Sequence, residues 1–154
     1  MNLKNFCTKN KDFTCNTIMS EEYKYSDVTN IIIKSFYSVY NTLGYGFQEK
    51  VYANALAIEL KKNEFEAIRE AKIDVYYEKQ IVGEYFADLL VDKKIIVETK
   101  ATRELIEDHE TQLLNYLKAT VYEVGLLLNF GPEPQIKRKV YDNTRKGSLS
   151  WVKQ

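Results

Sequence analysis

Asp88 and the run Glu98-Thr99-Lys100 place two carboxylates and a lysine within a short stretch of the chain, in Tyr85-Phe86-Ala87-Asp88 and Lys94-Ile95-Ile96-Val97-Glu98-Thr99-Lys100. The stretch reads as a β-hairpin. In an extended strand Glu98 and Lys100, two apart, project from one face, and a neighbouring strand can set Asp88 beside them. Carboxylate oxygens suit Mg²⁺ or Mn²⁺, which take oxygen ligands in near-octahedral geometry and keep several waters. Asp88 and Glu98 are the expected metal ligands, with the Thr99 backbone carbonyl as a further oxygen. Lys100 would reach the attacking water or the phosphate. A metal lowers the pKa of its bound water, and a nearby lysine stabilises charge building on phosphorus. The reaction this combination suits is hydrolysis of a phosphodiester.

The same residue types also decorate solvated strand faces, where Glu and Lys are common. What favours chemistry is the setting: residues 86 to 99 are largely apolar apart from one turn, and an unpaired carboxylate in a buried sheet is costly. Register supplies the geometric condition. If Asp92-Lys93-Lys94 is a three-residue loop, Val91 faces Ile95 and Asp88 faces Glu98, so that both carboxylates share one face with Lys100, whereas a two-residue loop would pair Asp88 with Val97 and turn the acids to opposite faces of the sheet.

The elements that must hold this hairpin follow from periodicity. With Ser26 as N-cap, Val28, Ile31, Ile32, Ser35, Phe36, Val39, Tyr40 and Leu43 recur at helical spacing. Gly44-Tyr45-Gly46 ends that helix. A second runs through Glu49, Val51, Tyr52, Ala55, Leu56, Ile58 and Leu60, placing Glu49 in its first turn, where a carboxylate is favoured. From Lys72 the pattern becomes β-branched and aromatic, giving three antiparallel strands with turns at Glu78-Lys79-Gln80 and Asp92-Lys93-Lys94. A helix from about Glu104 to Ala119 follows, then a strongly apolar strand, Tyr122 to Phe130, closed by Gly131-Pro132. Ile136 to Tyr141 adds an edge strand.

Composition sets the outer bounds. The 154 residues are 45% hydrophobic with a net charge of zero, enough for one core and unlike a wholly basic nucleic-acid binder. Charge is uneven, since Lys137 to Gln154 holds six Lys/Arg against Asp142 alone. Cys7 and Cys15 lack the spacing and partners of a zinc site, which fits a reducing cytoplasm. No apolar run has the length of a signal peptide or a bilayer span. Residues 1 to 25 are expected to form a disordered leader, with Met19 as an alternative start, followed by one domain over 26 to 142 and a tail over 143 to 154.

Gly46-Phe47-Gln48-Glu49-Lys50-Val51-Tyr52 fits Gly-x-x-Glu-x-x-Tyr. With Leu43-Gly44-Tyr45-Gly46, Ala55-Leu56-Ala57-Ile58-Glu59-Leu60, Asp88, Glu98-Thr99-Lys100, Gln112-Leu113-Leu114-Asn115-Tyr116-Leu117 and Gly125-Leu126-Leu127-Leu128-Asn129-Phe130, the chain resembles the GxxExxY family of the PD-(D/E)XK nuclease superfamily over about residues 26 to 142. The resemblance implies a restriction-endonuclease-like α/β core, a mixed sheet flanked by helices. It implies that Asp88, Glu98 and Lys100 take the catalytic positions, that Glu49 joins the metal site, and that Gln112 and Tyr116 form a Gln-x-x-x-Tyr motif beside the substrate. Ala87 departs from the proline that often precedes the aspartate.

Tyr52 reads as a packing residue that fixes the helix carrying Glu49. His109, the sole histidine, shares a helix face with Gln112 and Tyr116 and is assigned to substrate positioning or structure. Lys137-Arg138-Lys139 is either a phosphate contact or a solvated edge, and the twelve tyrosines are spread over core-like positions and do not read as a stacking platform. The expected partner is nucleic acid, DNA ahead of RNA, with no membrane and with a homodimer or larger complex as the assembly. The alternative is a non-cleaving nucleic-acid or protein interaction module that retains the fold.

Overall fold

The computed structural model describes residues 24–149 together with Val152. The leader expected over residues 1 to 25 therefore lies almost wholly outside the described residues. Two helices come first, α1 (Ser26–Leu43) and α2 (Glu49–Lys62), followed by β1 (Ala67–Tyr77), β2 (Gln80–Val91) and β3 (Ile95–Lys100). Helix α3 (Glu107–Ala119), β4 (Val124–Phe130), β5 (Pro134–Val140) and a short 3₁₀ turn, Asn143–Arg145, complete the order. The strands lie side by side in the sequence β1-β2-β3-β4-β5. All neighbours are antiparallel except β3 and β4, which run parallel because α3 crosses over between them. This is the mixed sheet flanked by helices that the family resemblance implies.

The sheet is covered on both faces. Val28, Ile32, Phe36 and Val39 of α1 and Tyr52, Leu56 and Leu60 of α2 pack on Leu89, Val91, Ile95, Val97, Leu126 and Phe130. On the other side Leu113, Tyr116 and Leu117 of α3 pack on Ile73, Ala87, Leu90, Ile96 and Leu127. Burial on both faces explains why β4 reads as an unbroken apolar run. Close approach of α3 to β4 requires Gly125, where a Cβ would stand 2.7 Å from a Leu113 methyl carbon.

Several boundaries differ from the sequence reading. Strand β1 begins at Ala67 rather than Lys72. Its extra residues, Ala67 to Ala71, form an exposed outer strand with mixed polarity, and Glu70 sits at φ +51°, so period-two patterning fails there. The first hairpin turn is the two-residue Glu78-Lys79, both at positive φ, with Gln80 already paired to Tyr77. Ser26 is the first residue of α1, and Tyr25, at φ 56°, occupies the cap position instead. Helix α3 starts at Glu107, three residues after the expected Glu104, because Thr102 to Leu105 is held in a loop by residues far along the chain. Thr102 exchanges two hydrogen bonds with the buried Asn129 side chain, both at 3.0 Å, and the Leu105 N–H donates to Gln135 at 2.9 Å.

The basic C-terminal stretch is occupied within the molecule. Lys137 and Lys139 pair with Glu110 of α3, Arg138 donates to the Lys24 carbonyl, and the Arg145 guanidinium lies 4.8 Å from the Tyr141 ring centre. Lys146 donates to the carbonyls of Thr120 and Tyr122 at 3.0 and 2.6 Å. Burial lowers the Lys146 ammonium to about 8 despite Glu123 and Asp142 nearby. Lys137-Arg138-Lys139 thus has partners within the molecule, Lys137 only loosely, half exposed and 3.9 Å from Glu110.

Candidate active site

Asp92-Lys93-Lys94 forms a three-residue loop, with Asp92 and Lys93 both at φ 52°. Val91 accordingly pairs with Ile95, Leu90 with Ile96 and Leu89 with Val97. Extending that register sets Asp88 opposite Glu98, as the odd loop requires. Regular pairing stops one position short of the two acids, and side chains take over. The Asp88 N–H donates to Glu98 Oε1 at 3.1 Å, while Asp88 Oδ2 accepts from the Thr99 N–H at 2.7 Å and from its hydroxyl at 2.6 Å.

The register is the expected one, but the two acids do not share one sheet face with Lys100, as the odd loop alone would have them do. They meet at a fork between β2 and β3, where Asp88 turns to the α1–α2 side and Lys100 to the α3 side. Ala87 packs with the α3 layer and Leu89 with the α1–α2 layer, although they are two apart in one strand. The same reversal occurs across the hairpin: Ala71 packs with the α3 layer, whereas Arg69 bonds Asn54 on α2 at 2.8 Å. Glu70, in the left-handed region between them, and Asp88 are the residues at which the alternation turns over. Such a twist re-aims a side chain and ends pairing, as bulges beside functional sites do.

Asp88 consequently lines a cleft of about 960 Å³ with Glu49, Asn54, Arg69 and Glu70. Glu49 stands in the first turn of α2, as its sequence position suggested. Its helix is positioned by Tyr52, whose fully buried ring stacks on Phe130 at 4.2 Å. The Tyr52 hydroxyl donates to the Gly44 carbonyl at 2.8 Å and accepts from the Phe47 N–H at 3.2 Å. Tyr52 is thus a packing and loop-fixing residue, in keeping with its reading from the sequence.

Glu98 is only 3% exposed. Burial, and then the charge of Asp88, push its carboxyl up to about 8, against the opposing pull of the Asp88 N–H and of Lys100. Glu49 adds a smaller repulsion. Lys100 turns toward α3, where its Nζ donates to Gln112 Oε1 at 3.1 Å and Gln112 Nε2 in turn donates to the Tyr116 hydroxyl at 2.9 Å. Burial, reinforced by the charges of Glu98 and Asp88, raises the Tyr116 phenol above its usual range. Gln112 and Tyr116 line a second hollow, of about 620 Å³, bounded by Tyr85, Lys146 and Leu149, separate from the one that holds Glu49. His109 Nδ1 accepts the Ile106 N–H at 3.3 Å and so caps the start of α3.

The side chains therefore fall into two connected groups. Glu49 and Asp88 face the cleft beside α2, and Glu98, Lys100, Gln112 and Tyr116 form a chain toward α3, joined to the first group at the fork. Among the described residues no three His, Cys, Asp or Glu side chains are grouped closely enough to hold a metal ion between them. The donor chemistry nevertheless fits a hard cation: a buried carboxyl, pressed by a second acid, is held neutral near pH 7, a state that a cation between the two would reverse. From the sequence, Thr99 has a role only through its backbone carbonyl, and Asn129 has none. Thr99 holds Asp88 through its N–H and hydroxyl, and Asn129 anchors the loop that follows Lys100. Both look like ordinary strand residues, and only their partners across the fold reveal them.

A mixed, twisted sheet between helical layers, with an acid at the end of one hairpin strand and Glu-x-Lys on the next, defines a nuclease-like class of α/β protein. The chain belongs to the PD-(D/E)XK nuclease superfamily, whose family model matches residues 26–140. Its architecture is the restriction-endonuclease-like fold of that superfamily. Among solved structures, that of SSO0001 is similar with a TM-score of 0.47 and 22% identity, the match covering 60% of this chain and 49% of that chain. The match thus spans about half the length of that structure. No curated protein matches the chain. No helix among the described residues is long and apolar enough to cross a membrane.

Proposed function

We propose that the chain is a metal-dependent nuclease of the GxxExxY family that hydrolyses phosphodiester bonds in nucleic acid, with DNA the favoured substrate and Mg²⁺ or Mn²⁺ as cofactor. Asp88 and Glu98 would hold the ion, with Glu49 from across the cleft and the Thr99 carbonyl completing the protein ligands. When bound, the ion would supply a water of lowered pKa and neutralise charge on the phosphate.

The remaining steps belong to the chain itself. Thr99 fixes the Asp88 carboxylate by two hydrogen bonds to one oxygen, leaving Oδ1 available. Lys100 brings a positive charge to the phosphate, and Gln112 orients its ammonium. Tyr116 fixes Gln112, and the two side chains set the position of the strand on the α3 side. His109 supports that helix from its first turn.

The observation that carries this reading is Glu98, an acid buried against another acid, beside a lysine, where β2 and β3 part. A purely structural site would gain from an apolar residue there. The test is incubation of wild type and Glu98→Gln with labelled single- and double-stranded DNA and RNA in Mg²⁺, Mn²⁺, Ca²⁺ or chelator. Cleavage is expected in Mg²⁺ or Mn²⁺, lost with chelator and with Glu98→Gln. Cleavage that survives both Glu98→Gln and Lys100→Ala unchanged would remove this site from the reaction.

A further inference from the structure

The loop between α1 and α2 holds two aromatic rings out into solvent beside the acids. Tyr45 is 62% exposed and Phe47 50%, with Gly46 between them. Phe47 lines the cleft that holds Glu49 and Asp88. Tyr45 lines an adjoining groove of about 540 Å³ with Arg103 and Pro132. Gly46 and Ala101 border both hollows, so Tyr45-Gly46-Phe47 forms the ridge between them.

The display is built in. Gly44 at φ +66° and Gly46 at φ +114° give the loop a path that other residues rarely follow. The Tyr52 hydroxyl, bonded to the Gly44 carbonyl and the Phe47 N–H, ties both ends of the segment to the buried core. The rings thus stand on a braced loop.

Charge narrows what they receive. In the cleft, Lys50 and Arg69 stand against Glu49, Glu70 and Asp88, and Lys137, Arg138 and Lys139 are engaged elsewhere. A duplex is bound largely through its phosphates and needs a surplus of cations. A single strand also draws on cations, but its unpaired bases add a stacking contribution on aromatic rings that a duplex cannot offer, so where cations are few the rings favour the single strand.

We infer that Tyr45 and Phe47 form a stacking step for unpaired bases at the mouth of the active-site cleft, so that the preferred substrate is single-stranded or locally opened nucleic acid. This rests on the nuclease reading and specifies its substrate. A strand would pass from the groove across Gly46 into the cleft, with a base against each ring and the scissile phosphate toward Asp88.

The test is fluorescence anisotropy in chelator, with an end-labelled single-stranded oligonucleotide and its duplex, on wild type, Tyr45→Ala, Phe47→Ala and Tyr45→Phe. Wild type should bind the single strand more tightly than the duplex. Each alanine should weaken single-strand binding roughly ten-fold and leave duplex binding unchanged. Tyr45→Ala should also leave the thermal midpoint unchanged, whereas Phe47→Ala lowers it slightly through the lost edge contact with Tyr52, and Tyr45→Phe keeps its affinity. Failure of wild type to bind the single strand, equal losses on both forms, or no loss on the single strand would overturn the inference. Parallel cleavage assays separate the two claims. Cleavage abolished by Glu98→Gln but indifferent to both rings leaves the nuclease and removes the step, whereas ring-dependent single-strand binding without cleavage does the reverse.

Discussion

One oxygen of Asp88 accepts both the N–H and the hydroxyl of Thr99, at 2.7 and 2.6 Å. This pairing replaces the strand ladder at the point where β2 and β3 part, and it leaves the carboxylate with a single orientation. Thr99 is completely buried, so Thr99→Val preserves volume while deleting one of the two donors. Stability should fall by about 1 kcal/mol, and cleavage should slow about ten-fold or more at unchanged substrate affinity. Thr99→Ser should retain most of the rate. Steady-state kinetics on the three proteins checks the split.

Glu98 makes folding stability depend on pH. Its carboxyl is raised from 4.5 to about 8, so between those values the folded state holds a proton that the unfolded chain releases. The native state is therefore favoured at low pH, and that advantage is lost as pH rises through about 8. In chelator, wild type should lose stability from pH 5 to pH 8, below the range in which the lowered Lys146 ammonium acts in the opposite sense, and Glu98→Gln should be flatter over the same range. Urea unfolding at a series of pH values measures both slopes. A wild-type stability that rises across this window would contradict the burial of an uncompensated carboxyl.

The candidate acids and most elements were legible because their signals are local. Helical spacing marks α1 and α2, and Glu98 with Lys100 follow from strand alternation, but the length of the loop at Asp92-Lys93-Lys94, which the sequence leaves open, is fixed only by the pairing of Val91 with Ile95. Asp88 itself depends on a break in that alternation, which coincides with Glu70 at positive φ on the neighbouring strand and which no period-two pattern conveys. The first residues of β1 were hidden for the same reason. The late start of α3 depends on Asn129, 27 residues beyond its partner Thr102. Long-range polar contacts of this kind leave no spacing to read.

Tyr52→Phe tests the brace beneath the Gly46 loop. The ring stays stacked on Phe130, but the Gly44 carbonyl and the Phe47 N–H each lose a partner. A loss of about 1–2 kcal/mol in stability is expected, together with faster amide exchange at Phe47 than in wild type. Since Glu49 begins the next helix, cleavage should also weaken, and to a greater extent than the small stability change alone would produce at 25 °C. Hydrogen exchange by mass spectrometry locates the effect.

Gly131 and Asn129 act on the same loop from two sides. A Cβ at Gly131 would stand 2.1 Å from the Thr102 carbonyl, so Gly131→Ala must push that backbone away. The displaced carbonyl is the one that accepts Asn129 Nδ2 at 3.0 Å, and the loop leads directly from Lys100 to the helix carrying Gln112 and Tyr116. Asn129→Ala removes the partners of both Thr102 backbone groups and should cost about 2–3 kcal/mol. Gly131→Ala should cost about 1–3 kcal/mol by overpacking. Once either change has freed the loop, the other has less left to disturb, so the double variant should lose clearly less than the sum. Chemical denaturation of the two single variants and the double variant provides the cycle. Strict additivity would mean that the two side chains hold the loop independently and that the path from Lys100 to α3 is not fixed at Thr102.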